Sequence, residues 1–105
     1  MHAYRIYVGT KFDKDGKPIT SVLYTSAVLD TGHRLGKAFG GFTVFQAKGA
    51  YTHQDGRLVT EDTLVYEVFA ELPARVIREA QQIRAAFRQE SVVLVHPNNS
   101  VTFLY

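Results

Sequence analysis

The hydrophobic positions of this chain follow two different spacings along its length. Runs in which large side chains recur at every second position predict strands, because successive side chains of a strand point to opposite faces. These runs lie at residues 4–8, 42–51, within 58–72, 91–95 and 101–105, and the first is open to extension as far as Phe12. Between the second and third runs, Asp55-Gly56 predicts a hairpin turn, since such a turn needs residues that tolerate positive φ.

A first helix is predicted between the first two strands by apolar residues at helical spacing. These residues are Leu23 or Tyr24, Ala27, Val28, Leu35 and Phe39. Thr20 or Ser21 can cap the start of the helix, and the glycine pair at 40–41 ends it. Gly32 and Gly36 lie four residues apart on one face, where they either let another backbone come close or mark an early break in the helix.

The second helix opens at Pro73, a position where the missing N–H of proline is not needed. Its apolar residues recur at helical spacing, so we expect their burial against the sheet: Val76, Ala80, Ile83 and Phe87. The resulting order β-α-β-β-α-β, with an extra C-terminal strand, predicts an α+β fold, the ferredoxin-like split βαβ sandwich. The last strand forms either a hairpin within its own sheet or a pairing with a second copy.

Length and composition narrow the class of protein. At 105 residues and 46% hydrophobic content, the chain fits one domain, residues 1–105, with a single core. It has no cysteine, which excludes disulfides and thiol chemistry, and no apolar stretch long enough to cross a bilayer. Met1 to Arg5 leads directly into a strand without the apolar segment of a secretion signal. We therefore expect a soluble cytoplasmic protein that makes no membrane contact.

Motifs for metals, cofactors and nucleic acids are incomplete. The histidines have no pair at metal-ligand spacing; they are His2, His33, His53 and His96. Asp13-Lys14-Asp15-Gly16 imitates the start of a calcium loop, but the twelfth position is Tyr24 instead of a glutamate. Ile6-Tyr7-Val8-Gly9 resembles the first-strand motif of RNA-recognition domains, yet Glu67 stands on the third strand where basic and aromatic groups are needed. We expect no metal, no cofactor and no nucleic-acid partner.

Three blocks of sequence carry a family resemblance. They are Arg5-Ile6-Tyr7-Val8-Gly9; Gly41-Phe42-Thr43-Val44 with Gly49, Asp55-Gly56-Arg57-Leu58-Val59, Glu61 and Thr63; and Phe87-Arg88-Gln89-Glu90-Ser91-Val92. They resemble a small bacterial and phage family, family 3574 of the domains of unknown function. That family often carries Trp where this chain has Tyr51, and many of its members have a secretion signal. The resemblance implies the ferredoxin-like fold and the extent of the domain, and it transfers no mechanism.

Arginines on the second helix are the main candidates for ligand contacts. Arg78, Arg84 and Arg88 form a basic stripe beside the apolar seam, whereas Arg75 and Glu79 are expected to pair on the opposite side. Because Arg84 and Arg88 are like charges one turn apart, a carboxylate from elsewhere or an anionic ligand can meet them, and a solvated basic face is the default interpretation. The carboxylate candidates are Glu61, Glu67 and Glu90.

The predicted ligand-binding residues combine guanidinium groups with stacking surfaces: Arg5, Tyr7, Tyr51, Arg78, Arg84 and Arg88. Bulky apolar residues on both faces of the predicted sheet indicate a homo-oligomer, with a ligand pocket at the seam between copies. We interpret the chain as a non-enzymatic binding module that sequesters or senses a small anionic ligand of nucleotide type, with phage members of the family suggesting a host-modulating role. One alternative is a cofactor-free enzyme of the dimeric α+β barrel type with Glu67 or a histidine as base. Another is a protein-binding inhibitor that uses the open sheet face.

Overall fold

A computed structural model describes residues 1–52 and 54–105, with the side chain of Tyr51 also outside the description. Seven elements follow one another in the predicted order: β1 (His2–Gly9), α1 (Ser21–Phe39), β2 (Thr43–Thr52), β3 (Leu58–Ala70), α2 (Pro73–Ala86), β4 (Val92–Val95) and β5 (Val101–Leu104). The order β-α-β-β-α-β with an added final strand confirms the α+β, ferredoxin-like prediction.

The strands form one antiparallel sheet in the order β2-β3-β1-β4-β5. At the centre of the sheet, Ile6 of β1 lies opposite Tyr66 of β3 on one side and Leu94 of β4 on the other. β5 pairs with β4 over Val95↔Val101 to Val92↔Leu104, so the terminal strand forms a hairpin within its own sheet. This is the first of the two pairings that the sequence left open.

Both helices cover one face of the sheet and enclose the hydrophobic core. From β1 the core takes Tyr4, Ile6 and Val8, which are nearly or fully buried because alternate residues of a strand share a face. The four apolar residues predicted on α2 are buried at 2% exposure or less: Val76, Ala80, Ile83 and Phe87. Their burial confirms the helical phase read from the sequence. The opposite side of the sheet, which we call the helix-free face, carries the alternate residues of each strand.

The ends of α1 follow the predicted capping pattern. The Oγ1 of Thr20 accepts a hydrogen bond from the backbone N–H of Leu23 at 3.1 Å, and Gly40 ends the helix with a left-handed φ of 79°. Neither alternative for the internal glycines is correct, because α1 continues without a break and a side chain approaches instead of a backbone. The ring of Phe42 lies 3.5 Å from the position that a Cβ on Gly32 would occupy.

An ion pair joins the two helices. Arg34 Nε lies 3.0 Å from Glu79 Oε1, and Glu79 is one of two buried polar residues in the part of the chain that the structure describes, at 8% exposure. Arg75 donates a hydrogen bond to the backbone carbonyl of Ala38 at 3.2 Å. The expected pairing of Arg75 with Glu79 is therefore wrong, because Glu79 lies on the side of α2 that faces α1, where Arg34 reaches it.

Two hydroxyl groups are buried between α1 and β3. Thr31 and Tyr66 are each 1% exposed, and neither hydroxyl makes a hydrogen bond of good geometry with any residue that the structure describes. Burial raises the pKa of Tyr66 to about 12, the neighbouring Tyr24 adds to this rise, and the Thr31 hydroxyl offsets part of it. The phenol of Tyr66 is thus held in its neutral form.

The β2–β3 hairpin extends beyond the rest of the sheet. Residues 63–70 of β3 pair with β1, whereas residues 58–62 pair only with residues 48–52 of β2. We call residues 48–52 and 58–62 the arm. Thr10 fixes the base of the arm, since its backbone N–H and its hydroxyl both donate to the carbonyl of Asp62, at 2.9 and 3.2 Å.

Candidate functional site

A hollow of about 560 Å³ opens on the helix-free face, where the end of β1, the base of the arm and the α2–β4 junction meet. Its floor and one wall come from Tyr7, Gly9, Glu61 and Thr63. The ladder pairs Gly9 with Thr63, so these side chains fall on the same face by the two-residue repeat of each strand. Strand pairing thus brings together residues that are more than fifty positions apart in the sequence.

The loop that follows β1 forms a second wall of the hollow. Asp13 shapes this loop, because its Oδ1 accepts hydrogen bonds from the backbone N–H groups of Asp15 and Lys17, both at 2.9 Å. The bond from Lys17 is the main reason that the pKa of the Asp13 carboxyl lies below its usual value. Gly16 takes a left-handed φ of 77° within the turn. The carboxyl of Asp13 is therefore used by its own loop.

Hydrogen bonds at the end of α2 hold the α2–β4 junction against this loop. Arg88 turns the chain with a left-handed φ of 53°, and its carbonyl accepts from the backbone N–H of Lys14 at 2.8 Å. The backbone of Gln89 is held by Arg84 in two ways: Gln89 N–H donates to the Arg84 carbonyl at 2.9 Å, and Arg84 Nη1 donates to the Gln89 carbonyl at 3.1 Å. The junction and the loop therefore form a continuous wall.

The side chain of Gln89 links three segments around the hollow. Its Nε2 donates to the carbonyls of Phe12 and Phe87, at 2.8 and 3.0 Å. Its Oε1 lies 3.2 Å from the position that a Cβ on Gly9 would occupy, and Glu61 Oε1 lies 3.8 Å from the same point. The missing side chain of Gly9 allows the amide of Gln89 to pack closely against β1.

The charge of the hollow is opposite in sign to that of the whole protein. Glu61 and Glu90 line it, and neither forms an ion pair within the described part of the chain. Lys14 is the one cationic residue among the described lining residues, and the carboxyl of Asp13 is already used by its loop. The formal net charge of the chain is +2. The unpaired carboxylates therefore give this surface a local negative charge, which favours a cationic ligand.

A second hollow, of about 660 Å³, lies on the other side of the arm near the start of α1. Its charged residues, Lys48 and Asp62, already form an ion pair with each other. The hydrogen bond from Lys48 lowers the pKa of the Asp62 carboxyl. With its charges compensated in this way, the second hollow offers less to a charged ligand than the first.

The structure places the predicted arginines and aromatic residues on different layers. Tyr7 lines the hollow, and Arg5 lies beside Glu67 on the helix-free face, where the ladder pairs these two residues. Arg78 and Arg88 are exposed on the helix layer, because α2 covers the other face of the sheet. The predicted set is thus not gathered at one site, and ligand binding by Arg5, Tyr7, Arg78, Arg84 and Arg88 stays a prediction.

Arg84 is engaged within the protein. Besides its bond to the Gln89 carbonyl, its Nε donates to Gln81 Oε1 at 2.8 Å. The side chain of Tyr51, the remaining residue of the predicted set, lies outside the description, and so does His53. Within residues 1–52 and 54–105, no group of three or more His, Cys, Asp or Glu side chains could hold a metal ion.

Sequence reasoning did not single out the residues that shape the hollow. These are Gly9, Glu61, Gln89 and Glu90, all of which lie in the three blocks that carry the family resemblance. All four entered the analysis as part of these blocks, and Glu61 and Glu90 were in addition considered as partners for arginines. Residues of all three blocks line the same surface, and this could have indicated the site. The sequence alone does not show it, because it depends on the register in which the strands pair.

The fold is shared with solved structures of phage proteins. One, a phage SAM lyase in the apo state, matches with a TM-score of 0.69 and 23% identity over 97% of this chain and 86% of that chain. Another, a phage SAM lyase in complex with S-methyl-5′-thioadenosine, matches with a TM-score of 0.66 and 21% identity over 97% of this chain and 87% of that chain. At these identities the likeness establishes the fold. Among curated proteins no sequence match was found.

These neighbours correct one interpretation of the sequence. Both are lyases, and therefore enzymes, so the interpretation of the chain as a non-enzymatic binding module is wrong. No described helix is both long enough and apolar enough to span a membrane. The model of one family matches residues 4–103, nearly the whole chain. The chain therefore belongs to the family described as protein of unknown function (DUF3574).

Proposed function

We propose that this protein is a lyase that cleaves a sulfonium compound of the S-adenosylmethionine class in the hollow on the helix-free face. The observation that carries the proposal is the pair of carboxylates, Glu61 and Glu90, that line this hollow without an ion pair among the described residues. The fold shared with two phage SAM lyases, one of them holding S-methyl-5′-thioadenosine, supports it.

The chemistry of such a substrate complements the hollow. S-adenosylmethionine carries two positive groups, the sulfonium and the ammonium of its amino-acid part, and carboxylates attract both. Tyr7, Phe12 and Val93 add apolar and aromatic surface for the adenosine part. The proposed ligand is a nucleoside derivative, as the sequence suggested, but its reacting part is cationic where the arginines suggested an anion.

In the proposed reaction the bond between sulfur and Cγ of the amino-acid part breaks. The electron pair of this bond leaves with sulfur, which becomes the neutral thioether of S-methyl-5′-thioadenosine. The remaining carbon fragment can become a stable product by two routes. In the first route, its own carboxylate forms a C–O bond to Cγ and closes a ring. In the second route, Cβ loses a proton to a glutamate carboxylate and a C=C bond forms. Neither route consumes water, an oxidant or a reductant. Glu61 and Glu90 bind the cationic substrate, and in the second route one of them accepts the proton.

The test is product analysis with purified protein and S-adenosylmethionine. We expect S-methyl-5′-thioadenosine to accumulate, measured by reversed-phase chromatography with mass detection. Glu61→Gln and Glu90→Gln keep the side-chain shape but remove the charge, and each should lower kcat/KM by about tenfold or more, since a hydrogen bond to a charged group contributes about 1.5–3 kcal/mol. Asp30→Asn, on the exposed side of α1, is the matched control and should leave kcat/KM unchanged.

Two results would contradict the proposal. Folded wild-type protein that forms no S-methyl-5′-thioadenosine above the uncatalysed rate would reject the activity. Full activity in both Glu61→Gln and Glu90→Gln would support the lyase activity but reject the hollow as its site. Proton NMR of the second product separates the two routes, because only the C=C route gives vinyl signals.

A further inference from the structure

A segment of three residues, Thr10 to Phe12, links the two sides of the hollow. At one end, the backbone N–H and the hydroxyl of Thr10 both donate to the carbonyl of Asp62, at 2.9 and 3.2 Å. At the other end, the carbonyl of Phe12 accepts a hydrogen bond from Nε2 of Gln89 at 2.8 Å. This segment, which we call the tie, is thus bonded to the arm and to the α2–β4 junction.

Each end of the tie is bonded next to one of the two carboxylates of the hollow. Asp62 directly follows Glu61 in β3, and Gln89 directly precedes Glu90. Consecutive Cα atoms are about 3.8 Å apart, so a bond that fixes one residue limits where its neighbour can lie. The relative position of the two carboxylates is therefore coupled to the tie.

The side chain of Gln89 is held on several sides. Its backbone is bonded twice to Arg84, and its Nε2 makes a second bond, to the carbonyl of Phe87 at 3.0 Å. Its Oε1 packs against Gly9, 3.2 Å from the position that a Cβ would occupy there. With two backbone carbonyls as partners, the amide nitrogen and not the oxygen must face Phe12. The bond between the junction and the tie therefore has a fixed direction.

We infer that Gln89 is a positioning residue for the proposed reaction, and that through the tie it sets the separation between Glu61 and Glu90. The inference rests on the proposed function, in which both carboxylates bind the cationic substrate. Both of these side chains are exposed, so their placement depends on the backbones that carry them and not on side-chain packing. A misplacement of about 1 Å between reacting groups can lower a rate by about 100-fold.

The kinetic test compares two glutamine variants. Gln89→Met keeps the length of the side chain and removes the amide, so kcat/KM for S-adenosylmethionine should fall about tenfold or more. Gln82→Met, the same change on the exposed side of α2, should leave kcat/KM unchanged. In the Glu90→Gln background, Gln89→Met should change kcat/KM by less than about twofold, because the pair that it positions is already lost. A purely structural role would lower kcat/KM equally in both backgrounds.

Amide hydrogen exchange followed by NMR tests the tie without any activity. The N–H of Lys14 reports on the junction, to which it is bonded at 2.8 Å, and the N–H of Thr10 reports on the arm. In Gln89→Met both groups should exchange about tenfold faster, whereas neither should change in the control variant. Faster exchange at Thr10 is decisive, because its bond to the Asp62 carbonyl lies at the opposite end of the tie.

A second variant weakens the other end of the tie. Thr10→Val removes the hydroxyl bond to the Asp62 carbonyl and keeps the N–H bond, so kcat/KM should fall by about threefold. This effect should also disappear in the Glu90→Gln background. Urea unfolding shows which variants keep the fold, and if Gln89→Met does not, Thr10→Val decides.

Each outcome has a defined consequence. Unchanged exchange at Thr10 in Gln89→Met overturns the tie, whether or not the wild type is a lyase. If exchange rises but kcat/KM is kept, or falls equally in both backgrounds, the positioning role is rejected and the lyase proposal stands. If exchange rises and the wild type forms no S-methyl-5′-thioadenosine, the tie is supported, while the lyase activity and with it the positioning role are rejected.

Discussion

The ion pair between Arg34 and Glu79 gives the most direct test of how the helix layer is held together. Arg34→Met keeps most of the apolar stem of the side chain and removes the guanidinium. It leaves Glu79 with a side chain that is 11% exposed and without its partner at 3.0 Å. The loss in the free energy of unfolding therefore measures how much an unpaired carboxylate between α1 and α2 destabilises the protein.

The size of the effect follows from the exposure of the two side chains. Breaking a fully buried ion pair costs about 3–5 kcal/mol, and an exposed pair contributes about 1 kcal/mol or less. The side chain of Arg34 is 39% exposed, so water can reach part of the space that the guanidinium leaves. We expect Arg34→Met to lower the free energy of unfolding by about 2 kcal/mol, between those two limits.

The assay is urea unfolding at pH 7 of the wild type, Arg34→Met, Glu79→Gln and the double variant. The double variant should be more stable than the sum of the two single changes predicts, because no charge is then left without a partner. Lys48→Met, which removes the highly exposed partner of Asp62, is the control and should leave the unfolding midpoint unchanged. A loss below about 0.5 kcal/mol in Arg34→Met, with additive single changes, would refute the reasoning.

Three further results are expected. Phe87→Ala should cost about 3–5 kcal/mol in urea unfolding because its ring is fully buried, and a loss below about 1 kcal/mol would contradict that burial. In the folded protein the pKa of Tyr66 is raised from 10.0 to about 12, so its neutral phenol contributes to the free energy of unfolding fully below pH 10, and this contribution is lost as the pH rises through 12. Tyr66→Phe should remove this loss in alkaline unfolding curves followed by circular dichroism. Exposed Phe45, Phe69 and Phe103 on the helix-free face predict a homo-oligomer, and light scattering that finds a folded monomer would reject it.

The elements were predictable because each is encoded by neighbouring residues. The spacing of Val76, Ile83 and Phe87 defines the buried side of α2 without knowledge of its partners, and Asp55-Gly56 marks a turn through its own backbone preference. Gly32 shows the limit of this reasoning. Its missing side chain accommodates the ring of Phe42, a contact between two elements that no local pattern specifies.

The candidate site was less predictable because it depends on strand register and on competition for hydrogen bonds. Gly9 and Glu61 meet only once β1 and β3 are paired, and Gln89 reaches them only from the end of α2. Arg84 was predicted to bind a ligand, and in the structure its guanidinium donates to the carbonyl of Gln89 and to the side chain of Gln81. A helical wheel shows the direction of a side chain, whereas its partners depend on the tertiary fold.

Because the arm extends beyond β1, we expect the hollow to lose its shape at a lower temperature than the one at which the core melts. Val59 and Glu61 lie on the arm, and a two-stranded ribbon is only marginally stable by itself. Segments of this kind open locally at a lower free energy than global unfolding requires. The geometry around Glu61 can therefore be lost at temperatures at which the core is intact. A ligand that joins the arm to the α2–β4 junction would raise the temperature of that local opening more than the temperature at which the core melts.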